Sequence, residues 1–129
     1  SLEMKRKVFG KGTPHSDVAA SLGLLGRVLH EQGDLDAADK YLPEALAMWR
    51  KLIGEERPHP GIARALYYIG CLRRDQGDRR KARELVTASL EMFRAVLGED
   101  STHYYIRDAA EELESLGPAN RDDEMRAAV

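Results

Sequence analysis

Ile62, Leu66, Ile69 and Leu72 follow one another at spacings of three and four, the period that lays one apolar stripe along a helix. Beyond the polar break "RDQGD" a longer stripe runs through Ala82, Leu85, Val86, Leu90, Phe93, Val96 and Leu97. The same two stripes occur earlier: Val18, Leu22, Leu25 and Leu29, then Ala38, Tyr41, Leu42, Leu46, Trp49 and Ile53. The pattern predicts two pairs of helices, each pair divided at "QGD". Glycine there supplies the left-handed conformation that stops one helix, and aspartate caps the next. So short a turn makes the partners antiparallel.

The two pairs are copies. Shifted by 44 residues, the chain matches itself at thirteen positions without a gap, from His15 on His59 through Gly33 on Gly77 to Glu55 on Glu99. Self-similarity at a fixed period is the mark of a solenoid. Met4, Arg6, Lys7, Gly10 and Pro14 stand 44 residues before Met48, Arg50, Lys51, Gly54 and Pro58, so the chain is expected to begin inside the second helix of an earlier unit. A third first helix starts near His103 and Ile106 and stops early at Gly117-Pro118, since proline cannot continue a helix. The expected organisation is therefore one array over 1–129. It comprises the end of a preceding unit at 1–10, units at 15–58 and 59–102, a capping helix at 103–117 and a tail at 118–129.

Composition narrows the function classes. Hydrophobic residues make up 43% and charged residues 33% of the 129, too apolar a mixture for a disordered chain. A net charge of −2 argues against a general nucleic-acid or membrane-surface binder. Neither a bilayer-spanning apolar run nor a secretory signal is visible. The single cysteine, Cys71, has no internal disulfide partner, which fits a reducing compartment and points to the cytoplasm.

Leu66-x-x-Ile69-Gly70, with Ala82 twelve residues after the glycine and Val86 four later, resembles the tetratricopeptide repeat. Leu22, Leu25, Gly26, Leu29, Ala38 and Leu42 repeat that spacing more closely. The usual period is about 34 residues. The surplus here lies in a longer second helix and in "LIGEERPHPGIA", which is similar to the connection of kinesin-light-chain-type repeats. The resemblance implies an all-α, right-handed solenoid of antiparallel helix pairs whose first helices line a concave surface. Peptide-gripping members of that subclass often carry an "LNNLA" run. Here "LGLLG" and "LYYIG" stand in its place, with no asparagine to hold a ligand backbone. Arg73 also occupies a slot usually given to a large apolar or aromatic residue.

Nothing points to catalysis. His15, His59 and His103 share one position in three successive units, which suits packing or hydrogen bonding at a helix entry better than a metal site. Cys71 falls inside a predicted helix, away from the helix start that would activate a thiol. There is no phosphate loop and no paired set of metal ligands. No cofactor is expected. The run "RRDQGDRRKARE" reads as a solvated turn, partly self-paired with Asp75, Asp78 and Glu84. Pro43 lies well inside a predicted helix and should kink it.

If the first helices form the working face, their non-core stripes are the candidate surface. These contain Arg27 and His30 in the first unit and Arg64, Tyr67, Tyr68 and Arg74 in the second; Asp108, Glu111 and Glu112 follow in the third. Tyrosine and arginine are the residue types that dominate binding hot spots. The expected function is a non-catalytic module that binds a protein or peptide segment, acidic and with an apolar or aromatic anchor. The alternative is a spacer or self-association arm of a larger signalling protein. Self-association through an orphan helix at 2–9 is a further expectation, because a solenoid cut within a unit exposes apolar surface.

Overall fold

The structure, a computed structural model, describes residues 15–118. The expectations about an earlier helix at 2–9, association through it, and the tail beyond Pro118 fall outside the described residues. Five helices follow in order: α1 (Ser16–Glu31), α2 (Leu35–Ile53), α3 (Pro60–Asp75), α4 (Arg79–Leu97) and α5 (Tyr104–Leu116). Helices α1 and α3 have 16 residues and α2 and α4 have 19, so one unit occurs twice. The chain is an all-α solenoid of antiparallel helix pairs.

The turns follow from their residues. Gly33 and Gly77 take φ of 87° and 92°, left-handed values that carry no penalty without a side chain. Asp34 and Asp78 then accept the amides of Ala37 and Lys81, each at 3.1 Å. The histidines spaced 44 apart are helix caps. Nδ1 of His15, His59 and His103 accepts the amide two residues on, at 3.3, 2.9 and 3.0 Å. A ring nitrogen that accepts carries no proton, so each cap holds its proton on Nε2 if neutral.

In the two full units the first and second helices pack chiefly on each other, and each second helix also packs, less extensively, on the next first helix. Ala38, Leu42 and Leu46 of α2 share a buried cluster with Ile62, Leu66, Ile69 and Leu72 of α3. Val86, Leu90 and Phe93 of α4 share the next with Ile106, Ala109 and Leu116 of α5. Two glycines let helix pairs approach closely. A Cβ on Gly26 would stand 2.5 Å from Leu42 Cγ, and one on Gly70 would stand 2.7 Å from Val86 Cγ2.

Two expectations change. Leu25, placed on the first apolar stripe, is 39% exposed, whereas its counterpart Ile69 is buried against α2. Among the described residues no second helix precedes α1 to cover Leu25 in the same way. Arg83, read as part of a solvated turn, is 6% exposed, because it falls on the inner side of α4 beside Ala82 and Val86. Other members of that run reach across units: Arg73 meets Asp39 at 2.9 Å, and Arg79 donates to the Leu116 carbonyl. Pro43 lies within α2, which continues through it unbroken.

Candidate functional site

Helices α1, α3 and α5 border a cleft of about 350 Å³, with Phe93 of α4 at its back. Five of the six expected residues line it: Arg27 and His30 from α1, and Arg64, Tyr67 and Tyr68 from α3. Glu31, Cys71, Tyr104, Tyr105 and Asp108 complete the wall. The sixth, Arg74, lies outside the lining. Its guanidinium bonds Asp75 at 3.0 Å and Glu112 of α5 at 2.5 Å. The Asp75 hydrogen bond, and then Glu112, outweigh burial and raise its pKa well above the ordinary value.

Tyr68 is the centre of the cleft. The guanidinium carbons of Arg27 and Arg64 each stand 5.9 Å from its ring centroid, within cation–π range. Arg64 also donates to the Tyr68 hydroxyl at 3.3 Å and sits 5.5 Å from the Tyr105 ring. Burial lowers the Arg64 pKa, but the Tyr68 hydroxyl and the neighbouring tyrosine oxygens carry it above the ordinary value, so the guanidinium stays charged. The two adjacent tyrosines divide their packing. Tyr68 rests on the α2–α3 cluster and Tyr67 on the α4–α5 cluster, so both fill the joints between units as well as facing the cleft.

A line of charges borders the cleft along the ends of the first helices. His30 Nε2 meets Asp75 at 2.6 Å, Arg74 bonds the same Asp75, and Arg74 meets Glu112. Asp75 is held below the ordinary carboxylate range, first by its Arg74 hydrogen bond and then, against burial, by His30. On the other side of Arg64 and Tyr68 lies a notch of about 30 Å³ walled by Ala20, Gly23, Trp49 and Ala65. Ala20, Gly23 and Ala65 are small enough to leave this space open beside Tyr68.

Tyr104 and Tyr105 were not anticipated. Their rings stand 4.5 Å apart, and Tyr105 stacks on Phe93 at 5.1 Å. The Tyr104 hydroxyl, and then burial, raise the Tyr105 phenol above its usual pKa. The signal was the pair of aromatics directly after His103, at a helix entry.

The thiol on the cleft wall is not activated. Burial, followed by the Glu112 carboxylate, pushes the Cys71 thiol up to about 11, so it stays protonated at neutral pH. Burial and the neighbouring Cys71 raise the Tyr67 phenol further still. Among the described residues no three His, Cys, Asp or Glu side chains are grouped to hold a metal ion, and no helix is long and apolar enough to cross a membrane.

Compared with known proteins, residues 17–95 match the family model described as tetratricopeptide repeat. No curated protein matches the chain. The matched span covers nearly all of α1, α2 and α3 and most of α4, more than half of the 129 residues. The chain belongs to the tetratricopeptide repeat family.

Proposed function

We propose that this chain is a non-catalytic interaction module that holds an extended protein segment along its first helices. Repeats of this family generally mediate protein–protein interaction. The observation that carries the reading is the cleft itself, where Tyr67, Tyr68, Tyr104 and Tyr105 meet Arg27 and Arg64 across three helices. Flat rings give apolar area at low entropic cost, and arginine adds a two-pronged carboxylate contact. The preferred segment is acidic with an apolar or aromatic anchor. We read the units as 15–58 and 59–102, of the kinesin-light-chain type. Without asparagines in "LGLLG" and "LYYIG", side-chain anchors carry the grip rather than bonds to the ligand backbone. The protein fits a cytoplasmic setting, with no cofactor.

The test uses peptides selected on the protein from a displayed library and titrated by fluorescence anisotropy. Tyr68→Ala should weaken binding by about 2 kcal/mol, as for a buried hot spot. Arg94→Glu, on α4 away from the cleft, should change little. If Arg94→Glu matters and Tyr68→Ala does not, the outer face is the working surface. Absence of any saturable peptide supports the alternative, a spacer or arm within a larger protein.

A further inference from the structure

Arg64 differs from the cations around it. Arg27 has Glu31 at 3.9 Å, His30 has Asp75 at 2.6 Å, and Arg74 has both Asp75 and Glu112. Arg64 is half-buried, yet among the described residues it meets no carboxylate at ion-pair distance. Its contacts are one tyrosine hydroxyl and two aromatic rings, and its Nε, like that of Arg27, is buried without a hydrogen-bond partner. A cation withdrawn from water without a counter-ion is unfavourable unless something arrives to complete it.

We propose that the missing counter-ion is one aspartate or glutamate side chain within the bound segment, and that Arg64 is the residue that reads it. The proposal rests on the groove reading above and fixes what that groove selects. Charge count sets the valence. Arg27 and Arg64 share the cleft wall with Glu31 and Asp108, so one added carboxylate finds an open partner, while a dianion also faces two carboxylates. Position sets the source. Arg64 and Tyr68 line both the large cleft and the 30 Å³ notch beyond them, so a segment passing Arg64 continues on both sides. The acid is therefore internal, not a chain end. The notch by Ala20, Gly23 and Ala65 takes a small apolar side chain on one side of it. The wall of Phe93, Tyr104 and Tyr105 takes a ring on the other.

The experiment is an array of decapeptides acetylated and amidated at their ends, pairing a small apolar, an acidic and an aromatic residue in all orders. Parallel series replace the acid with lysine or phosphoserine, or move it to a free carboxyl terminus. Wild-type protein should retain the acidic–aromatic members. Arg64→Gln should weaken them at least about tenfold with the far-ultraviolet circular dichroism unchanged, and Arg64→Glu should shift preference to the lysine series. Stronger retention of phosphoserine or free-terminus peptides overturns the proposal, as does an acidic preference that survives Arg64→Glu. If wild type selects peptides without an acid and loses them on Tyr68→Ala, the groove stands and the acid reading falls. If nothing binds saturably, both fall.

Discussion

Glu112 joins α5 to the rest of the molecule through one guanidinium. Its side chain is 12% exposed, one carboxylate oxygen meets Arg74 at 2.5 Å, and the other is buried without a partner. Removing Arg74 leaves that charge uncompensated, which is worse than never having had the pair. Arg74→Ala should lower unfolding free energy by about 2 kcal/mol in urea titrations. Adding Glu112→Leu should then restore more than half of the loss; independent, additive losses would show that the two groups do not depend on each other. At this scale the sequence was partly legible. The family resemblance chose the first helices, and helical spacing then gave their non-core stripes with Arg27, His30, Arg64, Tyr67, Tyr68 and Arg74, of which all but Arg74 line the cleft. Tyr104 and Tyr105 did not follow, because the 44-residue register sets them against Pro60 and Gly61 in one unit and Ser16 and Asp17 in the other. A comparison between copies hides what only the last copy carries.

Helix boundaries were the most legible feature, since their signals are local: a glycine that must be left-handed, an aspartate or histidine that must accept an amide. Burial was less so, because it depends on what lies outside an element, as Leu25 and Ile69 show. Pro43 is the one residue that opposes its own helix. It removes a backbone donor toward Asp39 in an otherwise continuous α2, where an interior proline costs about 3 kcal/mol against alanine. Its side chain is only half-buried and is no member of the buried clusters. Pro43→Ala should therefore raise the melting temperature and leave peptide binding unchanged. A lower melting temperature would mean that the packing of α2 on its neighbours depends on the proline.

Across the whole molecule, the units are tied together by apolar clusters inside and by carboxylates at the rim. Asp75 links α1 to α3, and Asp39 links α2 to α3 through Gln76 at 3.0 Å and Arg73 at 2.9 Å. Both carboxylates sit below the ordinary 3.8, Asp39 chiefly through Gln76 and Asp75 chiefly through Arg74. A depressed carboxylate contributes stability in full above its unfolded value and loses it as pH falls through the lower folded value. The melting temperature should drop between pH 5 and pH 2. The double variant Asp39→Asn, Asp75→Asn should start lower at pH 5 but fall less steeply. Parallel curves for the two proteins would place the acid sensitivity elsewhere. Both groups are partly exposed, so solvent screening keeps each contribution small.

The joints between units differ in a way that repeats conceal. At one joint Trp49 lies so close to Gly61 that a Cβ there would stand 2.5 Å from the indole. One period later the same two positions hold Phe93 and Tyr105, with rings stacked at 5.1 Å. A large ring opposite no side chain and a smaller ring opposite another ring fill equivalent space, but only the second arrangement sends a phenol into the cleft. Such a pair behaves as an exchangeable coupling between otherwise standard modules. A side chain at Gly61 alone would collide with Trp49, so an aromatic at that position requires a smaller ring at 49 as well. Whether a seam presents a phenol to the cleft is thus set by two residues together, with the helices left as they are.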